Sequence, residues 1–384
     1  MRLHVLGLAH SPISLDSFRD PFAGLCFNFC RMMRGLGHEI ILYGAVGSDP
    51  SICDEFVEVV TQKVYGESYG RADKGTYQFD SSVGSWNGGR EDKAWVQFHV
   101  KTAAALNDRL TGEPELVLAM IGWAAAPALV HLPKNAIVVE PTIGYGTTVA
   151  PNRVFPSYAW MHWIKAKDGG KEGDGPPRND AVIQHYLDPA HFEFREKKGD
   201  YFLFMGRINE TKGYRVALEA CKKAGVPLKV VGQLPRDPEG ERVTLATIRD
   251  LGGEYVPSVG IDQRRELLAG ARAALCLVTY TEPFGLVAIE AAMSGTPVIS
   301  TDLGGYTETV EHGVTGWRCL TTGDIEEAIN RVGEISPKAC RARAERKNSM
   351  AAIGPKYEAY LGKLLHVTGG KKAAPNLDWM REAT

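Results

Sequence analysis

Two glutamates, Glu282 and Glu290, frame the segment Glu282-Pro283-Phe284-Gly285-Leu286-Val287-Ala288-Ile289-Glu290. An apolar run ends just before it at Val278, and an apolar helical pattern begins at Leu286. Pro283 and Gly285 punctuate the strand-to-helix turn between them. A helix that starts there points its first unpaired amides outward, where a phosphate or sugar oxygen can accept them. Gly285 lets the backbone approach a ligand closely. Glu282 in the turn and Glu290 further along the helix can hold hydroxyls at the two ends of an elongated polar ligand. Upstream, Phe204-Met205-Gly206-Arg207-Ile208-Asn209-Glu210-Thr211-Lys212-Gly213 also begins at the end of an apolar run. Arg207 and Lys212 are two cations at a strand end, a pair suited to neutralising a diphosphate. Taken alone, the same residues read as a loop acid, a solvated helix acid and a surface ion pair. Their shared setting of strand, glycine and helix favours chemistry.

Such residues need a scaffold that brings several strand ends together. The chain has 384 residues, which is more than one core usually accommodates and fits two domains. Short β-branched runs alternate with longer helical patterns, the mark of parallel sheets covered by helices. In the first half the predicted strands are Leu3–Ala9, Glu39–Tyr43, Leu116–Ile121 and Ala136–Glu140, with helices over Gly24–Leu36 and Ala94–Leu110. In the second half, strands Tyr201–Met205, Leu228–Val231, Ala274–Val278 and Pro297–Ser300 alternate with helices Tyr214–Lys223, Glu241–Leu251, Asp262–Leu268 and Leu286–Ser294. Residues Pro337–Leu365 read as helical. The reading is α/β: two doubly wound, Rossmann-like parallel-sheet domains facing a central cleft. Residues 1–190 form the first, 191–355 the second, and 356–384 a helix and tail that cross back to the first. Asp168–Arg178 reads as a surface loop, and Trp379 as an anchor for the tail.

Composition excludes several classes. A hydrophobic share of 44% and a charged share of 23% are those of a globular protein. No apolar run reaches the ~18–20 residues of a membrane span, and no signal-peptide pattern is read at Met1-Arg2-Leu3-His4. The net charge of −2 gives no bulk field to attract nucleic acid or an anionic membrane. Seven cysteines without a CxxC pair argue against a disulfide framework or a zinc site, and fit a reducing cytoplasm. Cys26 and Cys30, one helical turn apart, read as a buried helix face.

The segment from Glu282 to Glu290, with its trailing Gly295-Thr296-Pro297-Val298, resembles the glutamate-x7-glutamate signature of the family-4 retaining glycosyltransferases of GT-B fold. Gly304-Gly305-Tyr306-Thr307-Glu308 resembles the next block of that family, and Gly206-Arg207 through Lys212-Gly213 an earlier one. The resemblance implies a nucleotide-sugar donor site. It assigns Arg207 and Lys212 to the diphosphate, Glu290 to the ribose and Glu282 to the donor sugar. The backbone from Phe284 through Gly285 and Leu286 to Val287 would assist Glu282. The base would lie near Tyr255–Ser258, at Val256, and Gly206 would lie beside the diphosphate. It also implies transfer with retention, with no metal and no cofactor. No Asp-x-Asp pair stands at a strand end.

The first half resembles the family less. Phe22-Ala23-Gly24-Leu25 is similar to its glycine loop, which would place Gly24 beside the diphosphate. The histidine that many members carry after the fourth or fifth strand is missing from Met120-Ile121-Gly122-Trp123 and Glu140-Pro141-Thr142-Ile143. His10 and His162 are the candidate histidines. Arg153 to Trp163 is rich in aromatics and reads either as a buried amphipathic segment or as an acceptor wall. Gly122–Trp123 and Glu140–Tyr145 would border that wall. The acceptor could be a glycan, a small molecule or DNA, since Lys165, Lys167, Lys171 and Arg178 follow the aromatics. A nucleotide-sugar epimerase and a non-catalytic nucleotide-sugar binding protein remain as alternatives.

Overall fold

The computed structural model describes residues 1–17, 20–69, 91–169, 179–257 and 259–368. Lys171, Arg178, Ser258 and Trp379 lie outside the described residues, as does most of the Asp168–Arg178 loop. The chain divides into two units. Unit 1 comprises Met1–Phe155, Ile164–Tyr186 and the residues from Met350 onward; unit 2 comprises Pro156–Trp163 and Leu187–Ser349. Both are α/β and Rossmann-like.

Among the described residues, unit 1 holds a seven-stranded, wholly parallel sheet. Its strands are β1 (Arg2–Leu6), β2 (Glu39–Ala45), β3 (Glu55–Val60), β4 (Glu115–Ala119), β5 (Ala136–Glu140), β6 (Asn152–Phe155) and β7 (Ala181–Val182). Their order is β3-β2-β1-β4-β5-β6-β7, so the winding reverses between β1 and β4. Ligands of open parallel sheets bind outside the strand ends at such a reversal. The strands β3, β6 and β7 escape the sequence reading because they are short or carry charge on their outer positions. The first helix runs Pro21–Gly35. Asp20 caps it, accepting from the amides of Phe22 (2.9 Å) and Ala23 (3.4 Å), and Pro21 needs no partner in the first turn. The sequence-based start at Gly24 is thus too late. Gly24 lies inside the first turn and not in a loop ahead of it, a correction set by the Asp20 cap. The predicted stop is as observed, with Gly37 at φ +83° beyond the helix end.

Unit 2 holds a six-stranded parallel sheet. Its strands are β8 (Phe202–Met205), β9 (Leu228–Val231), β10 (Glu254–Val256), β11 (Ala273–Cys276), β12 (Val298–Thr301) and β13 (Gly316–Cys319). The order β10-β9-β8-β11-β12-β13 reverses between β8 and β11. Phe202, Phe204, Leu218, Leu228, Val230, Leu275, Ile299 and Ile329 are among the buried residues of its core. The helical stretch predicted over Pro337–Leu365 is two helices, Pro337–Asn348 and Met350–Thr368. The break at Ser349 is also where the chain passes from unit 2 to unit 1. No described helix is long and apolar enough to cross a membrane, and all seven cysteines are free and buried.

Candidate functional site

The reversal between β8 and β11 gathers the charged residues singled out from sequence. The chain leaves β8 through Gly206 and the exposed Arg207, buries Ile208, and makes one turn of 3-10 helix, Glu210–Lys212. Asn209 caps that turn by accepting from the Lys212 amide at 2.9 Å. Gly213 follows at φ +78°, and a Cβ there would fall 1.8 Å from the Leu277 carbonyl oxygen. Only glycine lets the turn press against the end of β11 in this way. Lys212 thereby reaches across to the far side of the reversal. Its Nζ lies 2.8 Å from Glu282 Oε2 and 2.5 Å from the Tyr280 hydroxyl. The Tyr280 hydroxyl donates to the same Glu282 carboxylate. Burial, followed by the charge of Glu282, pushes the Tyr280 phenol well above its ordinary range. The Lys212 and Glu282 side chains retain 22% and 12% exposure, so a ligand can reach them. Arg207 has no ion pair among the described residues.

A second glycine-rich stretch braces the turn that carries Glu282. Gly305 donates its amide to the Glu282 carbonyl at 2.7 Å, and a Cβ on Gly305 would sit 2.5 Å from Phe284 Cα. Thr309 Oγ1 donates to the Phe284 carbonyl at 3.2 Å. Gly285, at φ +88°, caps the helix Leu286–Met293; a Cβ there would lie 2.2 Å from the Tyr306 ring. Leu286 and Val287 open that helix half-buried, with their amides in the unpaired first turn. Glu290 follows, 4% exposed, and receives a hydrogen bond from Arg264 of the helix Ile261–Gly270. Val256 ends the edge strand β10 half-buried.

The unit 1 candidates fare differently. His10 Nε2 is 2.8 Å from Asp20 Oδ2, and Tyr65 donates to the His10 carbonyl at 3.1 Å. His10 thus supports the cap of the first helix. Glu140 is fully buried. Its Oε1 accepts from the amides of Val149 (2.5 Å) and Ala150 (2.6 Å), and its Oε2 from the Tyr145 hydroxyl at 2.7 Å. Tyr145 in turn accepts from the Gly122 amide at 2.8 Å. Burial pushes the Glu140 carboxyl up, against these hydrogen bonds. Both carboxylate oxygens of Glu140 are therefore held within unit 1.

The aromatic segment also departs from expectation: Pro156–Trp163 belongs to unit 2. Ser157 Oγ donates to the Pro283 carbonyl at 2.7 Å, beside Glu282. The Glu308 carboxylate accepts from the amides of Tyr158 (3.1 Å) and Ala159 (3.0 Å), capping the helix Tyr158–Lys167. Trp160 is buried and stacks on Trp163 at 4.6 Å, whereas Tyr158, His162 and Trp163 are exposed. Lys167 donates to the Gly146 carbonyl.

Residues 189–349 match the family Glycosyl transferases group 1. The matched stretch contains Arg207, Lys212, Glu282 and Glu290. The glycogen synthase of Mycobacterium tuberculosis is 33% identical over an aligned length of 180 residues, a match that covers 42% of this chain and 42% of that protein. The matched stretch therefore spans about two fifths of that curated relative. Among solved structures, AviGT4, a glycosyltransferase involved in avilamycin A biosynthesis, has a TM-score of 0.68 at 21% identity, covering 95% of this chain and 98% of that one. Anabaena Alr3699/HepE, in complex with UDP and glucose, has a TM-score of 0.65 at 14% identity, covering 94% and 99%. These likenesses span both units and establish the GT-B type of fold.

Sequence reasoning missed Tyr280 and Arg264. Tyr280 stands two residues before Glu282, and the apolar-run argument stopped at Val278. Arg264 sits on a helix whose pattern predicts only an exposed charge. Its pairing with Glu290 depends on the register between two helices, which no local pattern encodes.

Proposed function

We propose that the chain is a retaining glycosyltransferase that moves a sugar from a nucleoside diphosphate to an acceptor hydroxyl, without a metal. The observation that carries this reading is the meeting of Lys212 and Glu282 at the winding reversal of unit 2, beside a helix start and Glu290. Lys212 and Arg207 would meet the diphosphate, and Glu290 the ribose hydroxyls. Glu282 would hold the sugar hydroxyls, assisted by the first amides of the helix Leu286–Met293. Gly206 and Val256 lie at the ends of β8 and β10 and would line the nucleotide. In the transfer step the sugar C1–O bond to phosphate breaks and the acceptor oxygen bonds C1 on the same face. The acceptor proton passes to the departing phosphate oxygen. The protein contributes positioning and stabilisation of the diphosphate charge.

On the acceptor side, exposed Tyr158 and Trp163, on the helix that follows Ser157 and its bond to the Pro283 carbonyl, offer ring faces suited to stacking on a sugar. A reducing cytoplasm belongs to the same reading, since every cysteine is a free, buried thiol. The test is a panel of UDP-glucose, ADP-glucose and GDP-mannose scored by thermal stabilisation. Transfer or slow hydrolysis with the best donor would then be followed by NMR of the anomeric proton, with and without EDTA. Stabilisation by one donor and a retained anomer are expected. Stabilisation by none would sink the donor site; an inverted product or a metal-rescued EDTA loss would sink the mechanism.

A further inference from the structure

We propose that Tyr280 is a further positioning residue of the donor site, holding Glu282 oriented toward the donor sugar when Lys212 is drawn to the diphosphate. The inference rests on the donor-site reading above and concerns a residue outside the motif blocks.

The argument begins with proton count. A lysine ammonium has three donors and no acceptor, whereas a phenol has one proton and lone pairs. The 2.5 Å contact between Lys212 Nζ and the Tyr280 hydroxyl must therefore run from ammonium to phenol oxygen. That leaves the single phenol proton for Glu282 Oε2, the other partner of the hydroxyl. The direction of every bond in the triangle is fixed. Burial and the charge of Glu282 hold the phenol protonated at any working pH.

Without a donor, Lys212 and Glu282 neutralise each other at 2.8 Å. A diphosphate offers Lys212 a stronger partner, and Glu282 then loses its countercharge in a site that is mostly buried. Tyr280 is the neutral donor that remains. By occupying Oε2 it leaves Oε1 as the free acceptor for a sugar hydroxyl, and it compensates part of the uncovered charge. The Lys212 ammonium also lies 5.0 Å from the centre of the Tyr280 ring, a contact that phenylalanine would preserve. Tyr280→Phe thus removes the hydroxyl and little else.

The experiment compares wild type and Tyr280→Phe, using UDP and UDP-glucose as probes, with ADP/ADP-glucose and GDP/GDP-mannose as parallel pairs. The variant is expected to melt within about 1–2 °C of wild type and to bind the bare nucleotide within about two-fold, because Glu282 faces the sugar. Its preference for the sugar nucleotide over the bare nucleotide should fall about tenfold, with donor KM rising by no more than that factor, and kcat should fall about 10–100-fold, as for loss of a charge-directed hydrogen bond. A wild-type kcat and sugar preference in Tyr280→Phe would overturn the proposal. So would parallel loss of melting temperature and bare-nucleotide affinity, the signature of a packing role. If wild type itself binds none of the six probes, the donor-site reading falls and takes this inference with it. That result is distinct from an unaffected variant in a binding-competent protein.

Discussion

Each unit holds carboxylates near strand ends of its doubly wound sheet, Glu140 as the last residue of β5 and Glu282 in the turn after β11, and the two units use them in opposite ways. In unit 2 the partners of Glu282 and Glu290 are side chains: Lys212, Tyr280 and Arg264. Side chains can turn away when a ligand arrives. In unit 1 Glu140 takes two of its hydrogen bonds from the backbone amides of Val149 and Ala150. Those amides cannot leave without remaking the loop, and unsatisfied they would cost about 1–3 kcal/mol each. A buried carboxylate is thus available to a ligand when its partners are exchangeable, and structural when they are backbone.

The sharpest test of this contrast is Lys212→Ala. It should lower kcat of transfer by about 100–1,000-fold with a smaller change in KM, since the charge it meets peaks as the diphosphate departs. Steady-state kinetics with the best donor reads this directly, and normal turnover would move the diphosphate site elsewhere. Glu140→Ala should act on the other side of the contrast. It should destabilise unit 1 by about 2–4 kcal/mol, through orphaned amides and the Tyr145 hydroxyl. Chemical denaturation measures this, and donor affinity of the folded fraction should be unchanged. A stable variant with selectively lost turnover would overturn the distinction.

The aromatic segment sharpens the comparison further, because its two tryptophans divide between the roles. Trp160→Ala should lower the melting temperature through a cavity worth about 2–4 kcal/mol. Trp163→Ala should keep the fold and donor hydrolysis while transfer falls. Equal melting losses in both variants would make the segment core throughout.

The last effect concerns pH. His185 is buried, and burial lowers its pKa from the ordinary 6.5 to about 3. Below the ordinary value the unfolded chain gains a proton that the folded chain refuses until about pH 3. Its contribution is therefore complete above 6.5 and declines as pH falls, by at most about 1.4 kcal/mol per pH unit. Urea melts between pH 7 and 4 should show a shallower slope in His185→Gln.

Much of unit 2 was legible because its turns need particular residues. Gly213, Gly285 and Gly305 each stand where a Cβ would strike backbone or a ring, so the same glycines that punctuate the sequence shape the site. The alternation of apolar runs likewise gave two parallel sheets, with most central strands within a few residues. Unit 1 was less legible. Its first helix starts on the Asp20 cap, whereas the apolar periodicity begins only near Gly24. Its polar groups are committed through long-range partners, such as Glu140 with Ala150, that leave no periodic trace. That the aromatic segment belongs to unit 2 was illegible for a related reason. Ser157 and Glu308 are far apart in sequence, and only the fold brings both to the Pro283 turn.

The helix Met350–Thr368 has a consequence for the birth of the protein. It completes unit 1: Tyr357 packs edge-on against Phe29 and Tyr186 and donates to the Pro141 carbonyl. A ribosome delivers those residues only after all of unit 2 has been made. At roughly 5–20 residues per second, the first sheet waits on the order of ten seconds for the aromatic side chain that closes its core. The unit that starts first therefore finishes last, and for that interval Phe29 and Tyr186 present an apolar surface that a chaperone can hold.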